Sequence, residues 1–363
     1  MPVRWNYIRW IQELLDTTNG EYSDTCDPER EVIGLDIGIG ASCIYPLLAC
    51  STRPDWRMAG SDIDRHSLTY ARKNVEANGL GKRIRLAQTT AEGPLIPLDT
   101  MPMDELDFVM TNPPFYDSTE DMQNSYTNKS IPPSAVCTGS SNEMICPSGD
   151  LGFVTRILEE SLVVREKVQW YTAMLGKMTS LQQIVAKLKE KGLTNFAVTS
   201  LTAGFRTKRW AVAWSFQGYR PRNDVARHGE LVLGVLPQPT AQTIEVPLKD
   251  ASLIGRVVDE TMKELDVRWT WRAASSVGVA EARENVWSRH ARRKKKIAAM
   301  GGKEGQVPEV KMNESSEDPD EEEVGLAVEI ACKDEKVEVR WLRGEDYVLF
   351  ESFCGMLKRA LTR

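Results

Sequence analysis

The chain has 363 residues, with 46 Lys and Arg against 52 Asp and Glu and a formal net charge of -6. That length supports two or three domains of ordinary size, and a composition 41% hydrophobic and 27% charged excludes disorder along the whole chain. No apolar run reaches the roughly 18 residues of a spanning helix, so no membrane partner is expected, and the acidic total argues at first sight against nucleic acid.

The N-terminus carries no legible secretory signal. Seven cysteines without a C-x-x-C pair point to a reducing compartment rather than a disulfide framework. With three histidines, His66, His228 and His290, no metal site is expected. From Glu31 to Gln217 short apolar runs alternate with helical patterns, the signature of an α/β unit with a mostly parallel sheet. Strands are predicted at Glu31–Ile37, Arg57–Ser61, Arg83–Ala87, Leu106–Thr111, Trp170–Leu175, Phe196–Leu201 and Trp210–Phe216. A helix over Asp64–Asn78 has an acidic N-cap and is closed by Gly79. Helical spacing recurs from Phe153 to Leu162 and from Leu181 to Leu188. The last two strands lie too close for an intervening helix and should form an antiparallel hairpin at the sheet edge.

Residues 117–149 form a polar stretch longer than most connections, as functional lids are. A boundary is expected near Tyr219, with residues 220–240 as a linker. Strand, helix and strand patterns follow at Ile244–Leu248, Leu253–Leu265 and Val267–Arg272. Two strands, Gly325–Cys332 and Val337–Leu342, and an amphipathic helix, Tyr347–Leu361, close the chain. Residues 241–363 thus read as a small α+β domain, with a charged insertion near 289–323 expected to be disordered.

Two constellations carry chemistry. Leu35-Asp36-Ile37-Gly38-Ile39-Gly40-Ala41-Ser42 is a strand running into a glycine turn and a helix, where the backbone can approach a ligand closely and Asp36 can reach a polar group on it. The third glycine of a dinucleotide fingerprint is missing at Cys43. Asp62, at the end of the next strand, is placed to accept ribose hydroxyls; a tight turn and a helix cap are the plain alternative. The second constellation, Asn112-Pro113-Pro114-Phe115-Tyr116, follows the fourth strand, at the edge where open α/β sheets bind ligands. Prolines fix φ and hold the Asn112 amide and the neighbouring carbonyls rigidly. Two such acceptors suit a planar NH2 group, with Phe115 stacking on the ring that bears it.

These residues resemble a class I S-adenosylmethionine-dependent methyltransferase of the Asn-Pro-Pro-aromatic, amino-methylating type. Five separated motifs, Asn6-Tyr-Ile-x-Trp10, Gly40 to Leu48, Asn112 to Phe115, Trp170 to Lys177 and Arg209 to Phe216, together resemble the methyltransferase-like protein 16 family. Its bacterial relatives methylate adenine N6 in large-subunit ribosomal RNA. The resemblance covers residues 3–217. It implies a Rossmann-like fold with a mostly parallel seven-stranded sheet, S-adenosylmethionine as cofactor, and N6 methylation of adenosine in structured RNA, with U6 small nuclear RNA the expected substrate and the nucleus or cytoplasm the expected place. It assigns Arg4, Asp36, Gly38, Gly40, Ser42, Asp62 and Asn112 to the cofactor, Asn112, Pro113, Pro114 and Phe115 to catalysis, and Phe115, Tyr116, Glu143 and Gly204 to the target. A protein glutamine N5-methyltransferase, a DNA amino-methyltransferase and a catalytically silent RNA-binding protein remain alternatives.

Two departures stand out. The family carries a segment ahead of the Asn-Tyr-Ile motif that helps build the RNA groove, so either this sequence is truncated or its RNA contacts are rebuilt elsewhere. The family's Gln-Gly before the hairpin is Ala203-Gly204 here. Charge distribution, finally, matters more than its sum. Seven acidic residues lie between Glu314 and Glu323, while Arg289, Arg292, Arg293, Lys294, Lys295 and Lys296 form a basic cluster, expected to bind phosphate or to serve as a nuclear localisation signal.

Overall fold

The computed structural model describes residues 2–100, 104–118, 120, 146, 148–203, 207–288, 291, 293 and 324–362. The chain divides into two compact units, residues 1–238 and 239–363. No helix among the described residues is long and apolar enough to cross a membrane.

The first unit opens with helix α1 (Pro2–Asp16), which the strand-by-strand reading did not anticipate. Its apolar residues recur at helical spacing, and Tyr7, Ile8, Ile11, Leu14 and Leu15 are all buried. Strand β1 (Val32–Ile37), helix α2 (Ile44–Thr52), strand β2 (Trp56–Asp62), helix α3 (Arg65–Ala77), strand β3 (Ile84–Gln88) and strand β4 (Leu106–Thr111) follow. Asp64 caps α3 as expected, accepting from the amides of His66 and Ser67, and Gly79 leaves it at φ +67°. Then come helix α4 (Gly149–Val164), strand β5 (Val168–Leu175), helix α5 (Met178–Glu190) and the hairpin strands β6 (Phe196–Ala203) and β7 (Thr207–Trp214). The sheet order is β3-β2-β1-β4-β5-β7-β6. β1 to β5 pair in parallel, and β7 pairs antiparallel with both β5 and β6. This is the Rossmann-like, mostly parallel sheet that the sequence implies.

Both faces are covered, as parallel sheets require. Helices α1, α2 and α3 pack with Trp56, Met58, Phe108 and Trp170 in one core. Helices α4 and α5 close the other over Leu35, Val109, Tyr171 and Trp214.

Residues 220–238, expected as a linker, belong to the first unit instead. A short helix, α6 (Asn223–Ala226), buries Val225 and Ala226, and the Val225 carbonyl accepts from the Trp10 indole at 2.9 Å. A two-residue strand, β8 (Arg227–His228), then adds an eighth member to the sheet beside β6. Two buried side chains and a buried indole bond hold this segment down, which a reading of its Pro and Arg content could not show.

The second unit holds β9 (Ala241–Glu245), β10 (Arg268–Arg272), β11 (Val277–Ala282), β12 (Leu326–Lys333) and β13 (Lys336–Arg343), which form an antiparallel sheet of order β10-β11-β12-β13-β9. Helices α7 (Ala251–Lys263) and α8 (Tyr347–Leu361) share its core with Val328, Ile330, Val339 and the fully buried Trp341. β11 went unread because its alternate residues, Gly278, Ala280 and Ala282, are too small to register as an apolar run. Gly278 is needed there, since a Cβ would strike the Trp269 ring. Trp341 stacks on Phe350 of α8 at 5.4 Å and should anchor this unit. Trp341→Ala is expected to cost about 3–5 kcal/mol in denaturant melts of residues 239–363.

Candidate active site

The carboxyl ends of β1, β2 and β4 converge on one edge of the first unit's sheet. The turn after β1 is built on positive φ at Gly38 (+74°), Gly40 (+63°) and Cys43 (+51°), values that favour glycine at the first two. A Cβ on Gly38 would meet nothing within 4 Å, so backbone is open to a ligand there. The amides of Gly38 and Ile39 both donate to the Ser61 carbonyl, at 2.9 and 3.0 Å, tying the turn to the end of β2. The Asp62 carboxylate continues the tie, accepting from the amides of Gly40 and Asp64, each at 2.8 Å. Asn74 of α3 donates to the Ala41 carbonyl at 3.0 Å. Ser42 is exposed in the same turn, and Ile63, beside Asp62, is an exposed apolar side chain.

Beneath this turn Asp36 is 1% exposed, and neither carboxylate oxygen has a hydrogen-bond partner among the described residues. Buried carboxylates are normally paired, so this one is either neutral or waiting for a ligand. Burial, reinforced by the Asp62 charge, raises its pKa well above the ordinary carboxylate range. Its field reaches its neighbours: burial first, then Asp36, pushes up the Tyr45 phenol and the Cys43 thiol. Arg4 and Arg209 act on Tyr45 in the opposite direction, which brings two cations, one from α1 and one from β7, to the same neighbourhood.

Asn112 leaves β4 half-buried, Pro113 is buried, and Pro114, Phe115 and Tyr116 are half-buried. Two hydroxyls secure the exit. Thr111 donates to the Ile37 carbonyl at 2.9 Å, and Tyr7 of α1 lies 2.8 Å from the Thr172 hydroxyl and 3.5 Å from the Thr111 carbonyl. The Phe115 ring lies under the Arg209 guanidinium at 4.9 Å, a cation–π contact. Gly176, at the end of β5, borders it so closely that a Cβ there would come within 2.8 Å of the ring. The buried Asp150 carboxylate holds that turn, accepting from the Gly176 amide at 2.7 Å and the Ser180 hydroxyl at 2.8 Å.

The structure therefore gathers Arg4, Asp36, Gly38, Gly40, Ser42, Asp62 and the run from Asn112 to Tyr116 in one region. Glu143, Gly204, Arg289, Arg292, Lys294, Lys295 and Lys296 lie outside the described residues. Arg293 is exposed in the second unit. Sequence reasoning missed Tyr7, Tyr45, Asn74, Asp150 and Gly176 as site-shaping groups. Tyr7, Tyr45 and Gly176 sat inside quoted motifs, and only packing gives them a task.

The expected cofactor, S-adenosylmethionine, fits these residues. An orphaned buried carboxylate suits its cationic groups, open glycine backbone suits close approach, and Asp62 is already rigid beside an exposed apolar side chain.

A sequence profile described as RNA methyltransferase matches residues 1–218. The chain is 36% identical to the U6 small nuclear RNA (adenine-(43)-N(6))-methyltransferase of Schizosaccharomyces pombe, over 99% of this chain and 86% of that protein. It is 33% identical to the RNA N(6)-adenosine-methyltransferase METTL16 of Gallus gallus, over 78% of this chain but 48% of that protein, about half its length. Among solved structures it resembles the human METTL16 catalytic domain in complex with a MAT2A 3′UTR hairpin, with 34% identity and a TM-score of 0.51, over 60% of this chain and 70% of that one.

The raised pKa of Asp36 has two consequences of known sign. A folded-state pKa above the unfolded value removes stability as pH rises through the window between them, so Asp36→Asn should raise the Tm of the free protein at pH 7 by a few degrees. A cationic ligand needs the ionised form, so S-adenosylmethionine affinity should increase with pH in the wild type and become weak and flat in Asp36→Asn. Calorimetric titrations and thermal melts between pH 5 and 8 check both.

Proposed function

The chain belongs to the methyltransferase-like protein 16 family of RNA methyltransferases, and from that premise we propose that it methylates N6 of adenosine in structured RNA, with S-adenosylmethionine as donor and U6 small nuclear RNA as substrate. The observation that carries this reading is the exit of β4, where the Asn112-Pro-Pro-Phe115 run lies beside the glycine turn and Asp36.

When bound, the cofactor supplies an electrophilic methyl group. The protein's own task is then positioning, which is worth several kcal/mol when two partners are held in reacting geometry. Asp36, the turn from Gly38 to Ser42, and Asp62 hold the donor. An exocyclic amine delocalises its lone pair into the ring. Acceptors at the Asn112 amide oxygen and the Pro113 carbonyl engage both N–H groups and favour the pyramidal form in which that pair is available. Asn112 is not a base at neutral pH, so its role is to orient and polarise. Phe115 offers a stacking surface to a base taken out of its stack, and Arg209 and Gly176 fix that surface. The second unit and the basic run 289–296 hold the RNA through its phosphates.

Asn112→Ala should abolish transfer to U6 RNA, a loss far larger than any it causes in S-adenosylmethionine affinity; near-normal turnover would overturn its role. Gly176→Ala tests the positioning separately. The added methyl must displace the Phe115 ring, and a misplacement of this size is expected to lower kcat about 100-fold with cofactor binding unchanged. Removing residues 239–363 should weaken RNA binding and flatten its dependence on salt, measured by fluorescence anisotropy.

A further inference from the structure

At the opposite edge of the same sheet, where β2 and β3 begin, lies a cleft of about 410 Å³ with Ile33 and Met58 in its floor. Its rim carries Arg57, Lys82, Arg83 and Arg85, against the single carboxylate of Asp55. In a chain of net charge -6 this local excess is a departure. The four cations are not equivalent. Arg57 pairs with Glu31 at 3.2 Å, both well exposed, a contact of little net worth. Arg83 is anchored without being neutralised: its guanidinium donates to the carbonyls of Arg53, Pro54 and Trp56, at 3.1, 2.6 and 3.5 Å. Lys82 and Arg85 are exposed and make no ion pair among the described residues.

We propose that this cleft is a second RNA contact, in which Arg83 supplies a fixed positive charge and Lys82 and Arg85 close on backbone phosphates of an RNA whose target adenosine lies at the other edge. The proposal rests on the RNA methyltransferase reading above. β2 separates the two places by about 20 Å, at roughly 3.3 Å per residue, a distance that a structured RNA spans. Immobilised guanidinium suits phosphate because its planar donors need no further ordering. The contact is non-specific in sequence and fixes where the RNA lies, as phosphate contacts do. It also gives the first unit a grip on RNA that is independent of the basic run at 289–296.

The test uses the full chain and a U6 RNA hairpin, with Lys82→Gln/Arg85→Gln and the charge-reversed Lys82→Glu/Arg85→Glu. Both side chains are exposed, so folding is checked simply by melting. Loss of two phosphate contacts predicts an RNA affinity five- to tenfold lower at low salt. The slope of log K against log salt should be less steep by about one to two. S-adenosylmethionine affinity and kcat at saturating RNA stay as in the wild type, and the Glu pair exceeds the Gln pair. Unchanged affinity and slope, in a wild type that methylates the RNA, would overturn the cleft as a contact. Absence of methylated RNA from wild type and variants alike would overturn the reading beneath it, so the two failures are distinguishable.

Discussion

The carboxyl edge of the first unit depends on one pairing. β1 and β4 run parallel with Ile37 opposite Thr111, and the Thr111 hydroxyl locks their last residues together. The glycine turn and the Asn112 run therefore leave the sheet as neighbours, although more than 70 residues separate them in the chain. A slip of one residue would turn Asp36 to the other face of β1 and part it from the turn it underlies. The hydrophobic cores on both faces make such a slip costly, so the ordinary packing of a doubly covered sheet sets the geometry of the site.

Electrostatics at that edge are graded by depth. The deepest group, Asp36, has no hydrogen-bond partner among the described residues and resists ionisation. Tyr45 feels that acid and, in the opposite direction, two arginines from distant parts of the chain. Asp62, by contrast, is tied by backbone amides into a fixed acceptor. Two carboxylates of the same kind thus take different characters from their surroundings, one held rigid by hydrogen bonds and one left to respond to what binds.

Much of this was legible in the sequence. The seven main strands of the first unit fall within about three residues of their expected ends, because alternation of short apolar runs with capped helices leaves few options. That Asp36, Gly38, Gly40, Asp62 and the run from Asn112 to Tyr116 meet at one edge was legible because each lies at the carboxyl end of a strand in an α/β alternation. Tyr7, Asp150, Gly176 and the contact of Arg209 with Phe115 were not. Each acts through contacts between residues far apart in the chain, and their local patterns resemble ordinary helix and strand surface. The segment 220–238 was misread for the same reason: its anchor is the indole of Trp10, some 215 residues earlier.

The orphaned acid also bears on how long the protein survives. A folded unit that carries an unpaired buried carboxylate gives up stability until something cationic meets it, and a ligand that binds only the folded form returns stability in proportion to the logarithm of its concentration. Proteolysis draws on the open form, so its rate tracks the opening equilibrium when reclosing is fast. A ligand that meets Asp36 in the folded unit is therefore expected to slow its proteolysis as the ligand's concentration rises.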